Sequence, residues 1–213
     1  MINLYNIDCM DFMKSKPDNY YDLAIVDPPY GINILSQFKS AGFLETKSMF
    51  KQTKGIISSE WDNAIPSKEY FEELKRVSVN QIIWGGNYFL DYLGSTKCMI
   101  SWDKMNGTNN MADFEIAWTS LDSRCRRFNM HHFSKGYGDK IHICQKPVKL
   151  YEWLLMSYAK EGDKILDTHG GSMSIAIAAH NLGFDLDWCE LDKNYFDAAK
   201  NRFEWHKSQL RLF

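Results

Sequence analysis

The sequence predicts a doubly wound α/β domain, a mostly parallel sheet with helices on both faces. Three observations carry this expectation. Short apolar segments of strand character alternate with amphipathic segments of helical period along the chain. Acidic residues or glycines stand at the ends of several of those strand segments, where an open parallel sheet places its ligands. The length of 213 residues suits one compact domain, residues 1–213, with a sizeable core.

Taken in order, Ile2–Ile7 and Leu23–Val26 read as short buried strands. Between them Asp8 can cap a helix, and Asp11 suits its first turn. Ser67–Val77 reads as a helix, with Pro66 before it and Tyr70, Phe71, Leu74 and Val77 on one face. Gln81–Trp84 follows as a strand closed by Gly85-Gly86. Met99–Trp102 and Glu115–Thr119 are two further strands, and Arg127–Phe133 a third. Pro147–Tyr158 is helical, with Val148, Tyr151, Leu154, Leu155 and Tyr158 at helical spacing. Ile165–Leu166 is a strand ending at Asp167. Gly170-Gly171 then opens the helix Ser174–Leu182, which Gly183 stops. Leu186–Cys189 ends at Glu190, and Asp192 can cap the helix Asn194–Trp205.

Composition excludes several classes. An apolar fraction of 45% with 24% charged residues is that of an ordinary globular protein, not of a disordered or collagen-like chain. No apolar run approaches the ~20 residues that span a bilayer, so no membrane partner is expected. Met1–Phe12 carries Asp8 and Asp11 and no basic cluster, unlike a secretory signal. Cys9, Cys98, Cys125, Cys144 and Cys189 are scattered and never paired as C-x-x-C, which argues against a disulfide framework or a zinc knuckle and for a reducing cytoplasm. The net charge is −2, but it is uneven. Between Leu121 and Lys149 seven basic residues face two acidic ones, an electrostatic footprint for a polyanion or a solvated face.

Three strand ends draw attention. Asp167-Thr168-His169-Gly170-Gly171-Ser172 joins a strand to a helix, and its glycines allow close approach of a ligand to the backbone. Glu190 stands at the end of the following strand, where a carboxylate grips ribose hydroxyls. The turn has neither a full G-x-G-x-x-G nor a P-loop lysine. A nucleoside without phosphates fits better than a dinucleotide, and S-adenosylmethionine is the commonest such cofactor. The third strand end is Asp27-Pro28-Pro29-Tyr30. Two prolines make a rigid corner that donates no N–H. It offers a fixed carboxylate, the Pro28 carbonyl and an aromatic face. Those parts can accept both N–H bonds of an aryl amine, localise its lone pair, and stack on the ring that bears it.

Through these motifs together, the chain resembles the DNA N6-adenine/N4-cytosine amino-methyltransferases of phages and bacteria, in the permuted order that sets the catalytic motif before the cofactor motif. Asp27-Pro28-Pro29-Tyr30 matches the family's catalytic motif. Asp8 with Cys9 resembles the segment that meets the cofactor adenine. His142-Ile143-Cys144-Gln145-Lys146-Pro147 resembles His-Pro-Thr-Gln-Lys-Pro, so Gln145, Lys146 and Pro147 are expected at the methionine end of the cofactor. Asp167–Ser174 resembles the Asp-Pro-Phe-x-Gly-Ser-Gly-Thr turn, which implies cofactor contacts from Asp167, His169, Gly170, Gly171, Ser172 and Met173. Glu190, Leu191 and Asp192 resemble the ribose-binding segment. Trp84–Tyr88 and Ser101–Lys104 are also similar to stretches of the family. The resemblance implies a Rossmann-like fold with an antiparallel hairpin at one edge, S-adenosylmethionine as cofactor and double-stranded DNA as substrate. Asp rather than Ser at position 27 points toward adenine, with the cytosine amino group as the alternative and a catalytically weak DNA-binding module as another. Thr168, His169 and Met173 depart from the family's Pro, Phe and Gly.

On the substrate side, Arg124, Arg126, Arg127 and Lys135 are candidate phosphate contacts, and residues 31–62 and 103–140 candidate substrate loops around a small recognition region. That small region makes a homodimer a further expectation. His131-His132 point to opposite faces of a strand and have no third ligand, so no metal is expected. Most tryptophans read as core, and Trp61 as a DNA contact or a lid anchor.

Overall fold

Strands β1 (Ile2–Tyr5), β2 (Tyr21–Val26), β3 (Ser78–Trp84), β4 (Met99–Asp103), β5 (Phe114–Thr119), β6 (Arg126–Asn129), β7 (Lys164–Asp167) and β8 (Asp185–Cys189) form a single sheet. The order across it is β1-β8-β7-β2-β3-β5-β4-β6. The computed structural model describes residues 1–34, 36, 62–107, 112–131, 141–142 and 144–209. Helices α1 (Cys9–Lys14), α2 (Lys68–Val77), α3 (Leu90–Leu93), α4 (Val148–Tyr158), α5 (Ser174–Leu182) and α6 (Lys193–Ser208) connect or follow the strands, with a short 3₁₀ turn at Gly86–Tyr88.

Alternation along the central strands builds two cores. Leu23 and Ile25 of β2, with Ile82 and Trp84 of β3, face α4, α5 and α6. Ala24, Val26 and Ile83 face α1, α2 and Leu93 of α3. Successive strand residues point to opposite faces, so near-continuous apolar strands are what a sheet covered on both sides requires. The caps expected from sequence are present. Asp8 accepts from the amides of Met10 and Asp11, Asp192 from those of Asn194 and Tyr195, and Gly183 ends α5 at φ +79°.

Five neighbouring strands, β1, β8, β7, β2 and β3, run parallel. β5 runs antiparallel to both β3 and β4, and β6 lies outside β4 and parallel to it. The last strand is shorter than expected, Arg126–Asn129, and Phe133 lies outside the described residues. From β7 the chain crosses through α5 to β8 on one side, whereas from β2 it proceeds through α2 to β3 on the other. The gap between the carboxyl ends of β2 and β7 is therefore the topological switch point, where open α/β sheets hold their ligands. Among the described residues no helix is long and apolar enough to cross a membrane. Of the tryptophans read as core, Trp84, Trp102, Trp118 and Trp188 are buried, but Trp205 is 62% exposed.

Candidate active site

The corner after β2 forms because Pro28 and Pro29 have no N–H to extend the ladder. The next two amides, of Tyr30 and Gly31, both donate to Asp62 Oδ1, at 2.8 and 2.9 Å, and the amide of Ile34 donates to Oδ2 at 3.0 Å. Asp62 is buried, and three backbone donors meet its charge. The Tyr30 ring stacks on Tyr88 with centroids 5.0 Å apart and 17° between planes. Gly85, at φ +69°, makes room for it. A Cβ there would stand 2.1 Å from Tyr30 Cε1.

Asp27 sits at the centre of an ion network. Tyr30 Oη donates to its Oδ1 at 2.6 Å, and Lys146 Nζ donates to its Oδ2 at 2.5 Å. Lys146 also pairs with Glu115 Oε2 at 3.0 Å and lies 3.2 Å from Tyr30 Oη. Lys104 Nζ holds the other Glu115 oxygen at 2.7 Å. The Lys146 side chain is 2% exposed, which a charged amine tolerates only when paired. Burial favours its neutral form, but Asp27 and Glu115 outweigh burial and raise its pKa. Burial likewise opposes ionisation of Glu115, yet the two lysines hold its carboxyl at about 2. For Asp27, burial raises the pKa and Lys146 works against it.

The glycine turn lies on the adjacent strand, β7. Asp167 is buried, accepts from the His169 amide at 3.1 Å, and is pushed well above the usual carboxylate range by burial. Thr168 hydrogen-bonds Tyr70 Oη at 2.7 Å, and His169 Nδ1 lies 3.0 Å from Thr168 Oγ1. Burial lowers the His169 imidazole to about 4, with Asp8 opposing, so the ring is neutral at pH 7. Gly170 also serves the packing of the core. A Cβ there would lie 1.8–2.3 Å from the Trp188 indole, so the glycine admits a core tryptophan. Gly171 is needed for its conformation, φ +50°. Met173 is buried at φ +64°, in the left-handed region that favours the glycine it replaces. Arg202 of α6 donates to the Ser172 carbonyl at 2.5 Å and pins the turn from behind.

Glu190, past the end of β8, accepts from the amides of Gly171 and Asp192, both at 2.9 Å. One carboxylate thus ties the glycine turn to the start of α6 and keeps a lone pair on each oxygen for a ligand. Burial raises its pKa, and the two amides act against that. Asn6 Nδ2 donates to the carbonyls of Glu190 and Leu191, which brings the Asp8–Cys9 helix start beside the same rim. Gln145 Oε1 accepts from the Ile141 amide at 3.1 Å and folds the segment before α4 onto itself. His142 packs on Tyr195 and reaches 4.0 Å from the Cβ position of Gly171, while burial lowers it to about 4.

The expected site residues of β2, β7, β8 and the segment before α4 thus converge on one rim. Lys146 reaches the Asp27 carboxylate. Arg124, Arg126 and Arg127 do not join them. They are exposed at β6, four strand spacings from β2, roughly 19 Å. Lys135, Trp61 and His132 lie outside the described residues, as do most of 31–62 and part of 103–140. Sequence reasoning passed over Asp62, Lys104, Glu115, Tyr70 and Arg202. The strand-like stretch Phe114–Thr119 hid Glu115, and only an acid amid apolar residues marked it.

The chain is similar to known DNA methyltransferases. A family model described as DNA methylase, covering N6 and N4 enzymes, matches residues 118–201. Type II methyltransferase M.HinfI of Haemophilus influenzae is 22% identical over an alignment covering 92% of this chain and 66% of that protein. The chain thus spans about two thirds of that relative's length. Type II methyltransferase M2.MboI of Moraxella bovis is 24% identical, with 94% of this chain and 87% of that protein covered. The crystal structure of the M1.HpyAVI–SAM complex superposes with a TM-score of 0.60 at 19% identity, covering 95% of this chain and all of the other. The PvuII DNA methyltransferase, titled cytosine-N4-specific, superposes with a TM-score of 0.59 at 12% identity, covering 100% of this chain and 88% of that one.

Proposed function

From the premise that the chain belongs to the N6/N4 family of DNA methylases, we propose that it moves a methyl group from S-adenosylmethionine to the exocyclic amino group of adenine in double-stranded DNA. The observation that carries the reading is the pairing of two strand ends across the switch point. Asp27 follows β2, the glycine turn follows β7, and those strands are hydrogen-bonded neighbours.

The residues present fit the cofactor. Glu190 offers a carboxylate held by two amides, the geometry that suits a pair of ribose hydroxyls. The described turn 167–173 carries no lysine or arginine, which suits an uncharged nucleoside rather than a pyrophosphate. Asp8, Cys9, Asp167 and His169 complete the nucleoside side, with Leu191 and Asp192 beside Glu190. When bound, S-adenosylmethionine supplies a sulfonium methyl whose C–S bond breaks as the N–C bond forms, leaving a neutral thioether.

The chain's own residues position the amine. The target base is turned out of the duplex, and its amino group donates one N–H to Asp27 and one to the Pro28 carbonyl. Both acceptors favour a tetrahedral nitrogen with a localised lone pair. The Tyr30–Tyr88 pair, with Tyr88 43% exposed, supplies aromatic surface for the base. Orientation and electrostatics, not covalent catalysis, lower the barrier. Asp at position 27 supports adenine over cytosine. Arg124, Arg126, Arg127 and Lys135 would hold phosphate away from the cleft, and each contact removed lowers the salt slope of binding by about 0.9.

The test is transfer of tritiated methyl from S-adenosylmethionine to random-sequence DNA, with the modified bases mapped. N6-methyladenine from the wild type and none from Asp27→Ala, which still binds the cofactor, is the expected result. N4-methylcytosine would move the reading to the alternative base. Full methylation by Asp27→Ala would overturn the mechanism, and cofactor binding without any transfer by the wild type would leave a DNA-binding module.

A further inference from the structure

The catalytic corner holds a second, partly buried carboxylate. Glu115 lies on β5, and its register beside β3 (Trp84 opposite Ala117) carries it to the Asp27 side of the sheet. The Lys146 ammonium stands between the two acids, 2.5 Å from Asp27 Oδ2 and 3.0 Å from Glu115 Oε2. Lys104 fixes the other oxygen of Glu115, so this acid cannot rotate away without losing an ion pair. Two carboxylates and two ammonium groups balance in charge. Each oxygen of Asp27 already accepts one hydrogen bond, from Tyr30 and from Lys146, and keeps one lone pair.

An amine can share the Asp27 carboxylate, but the Lys146 ammonium then stands beside it. An amine that gains a methyl group carries one positive charge until one of its protons passes to solvent. A second positive charge resting on Asp27 opposes that development, because like charges in a desolvated site repel strongly. We infer that Glu115 is a positioning residue that takes over the Lys146 ammonium when the target amino group occupies the Asp27 carboxylate. The inference rests on the reading of Asp27 as the acceptor for that amine. Lys146 needs only a small movement, since it touches both acids already, and its low exposure keeps it from escaping to water. The groups facing Asp27 are Lys146 and Cys144 from the segment before α4, Glu115 from β5, Asp167 from β7 and Tyr30 from its own corner, with Lys104 behind Glu115.

The test uses the full chain carrying Glu115→Gln or Glu115→Asp. Glu115→Gln should lower kcat for methyl transfer 10- to 100-fold, with affinity for S-adenosylhomocysteine within threefold of wild type. Glu115→Asp, which keeps the charge, should recover part of the loss. Removing a negative neighbour and leaving Lys146 to Asp27 alone should also move the acid limb of kcat/KM to lower pH. A residue of purely structural importance would lower the folded fraction and leave that limb in place. A kcat within threefold of wild type for Glu115→Gln, or a fall in kcat with an unmoved acid limb, overturns the inference. If Glu115→Gln does not fold, Glu115→Asp decides, since full activity in it overturns the role and a lower kcat at unchanged cofactor affinity supports it. Titration of the Asp27 carboxyl carbon by ¹³C NMR gives a readout apart from turnover. A lower Asp27 pKa in Glu115→Gln than in wild type supports the coupling, and an unchanged one overturns it. A wild type that transfers no methyl group overturns the methyltransferase reading instead, and the carboxyl titration still decides the position of Glu115.

Discussion

Gly85 sets the position of Tyr30, and Gly85→Ala should show it in a double-mutant cycle. Two costs add in the single variant. Gly85 is at φ +69°, and an alanine held in the left-handed region costs about 1–2 kcal/mol. Its Cβ would also stand 2.1 Å from Tyr30 Cε1 and 2.4 Å from Cδ1, so the ring or the backbone must shift, an overpacking cost of about 1–3 kcal/mol. The expected loss is about 2–5 kcal/mol, measurable by urea unfolding in a domain of ordinary stability. In a Tyr30→Ala background the clash is absent, and only the backbone cost of about 1–2 kcal/mol should remain. The coupling energy of the cycle is therefore about 1–3 kcal/mol. Methyl transfer should fall in parallel, because a displaced Tyr30 loses both its bond to Asp27 and its stack on Tyr88. Equal cost of Gly85→Ala in the two backgrounds would refute the reasoning.

Three further outcomes are expected. Asp62→Ala removes the acceptor of three amides and should cost about 2–4 kcal/mol, with hydrogen exchange at Gly31 and Ile34 accelerated far more than in the β2 core; uniform acceleration would contradict a local anchor. Met173→Gly relieves about 1–2 kcal/mol of backbone strain but empties a fully buried site worth about 2–5 kcal/mol, so a lower unfolding midpoint is expected and a higher one would count against the packing. His142 and His169 are held at about 4 by burial, against an unfolded value of 6.5. The unfolded chain therefore protonates first as pH falls. Stability is full above pH 6.5 and declines toward pH 4, by up to about 3 kcal/mol per ring. His142→Asn and His169→Asn should each flatten the pH dependence of urea unfolding in that window; an unchanged slope would place the rings in water.

The fold was legible because its elements carry local signals. Asp8, Asp192 and Gly183 mark helix ends through hydrogen bonds made within four residues, and the apolar period of 148–158 marks one helix face. The rim was legible for a related reason, since parallel strands bring their carboxyl ends to one side. The partners that complete the site are distant in sequence. Asp62 reaches Tyr30 across 32 residues, and Lys146 reaches Asp27 across 119. Glu115 gains its place only from the antiparallel insertion of β5 between β3 and β4, a pairing no local pattern encodes. Gly170 is instructive in the opposite sense. A glycine in the right motif serves an indole from the next strand, because adjacent strands set Asp167 opposite Trp188.

The central claim is that one cofactor site lies over β2, β7 and β8, with Glu190 holding the ribose and Asp27 holding the target amine beside the sulfur end. A crystal structure of the chain soaked with S-adenosylhomocysteine tests it. The account expects the ribose hydroxyls on Glu190 and the sulfur end turned toward Asp27 across the β2–β7 gap. A ligand seated elsewhere, or bound with its sulfur directed away from Asp27, would contradict it.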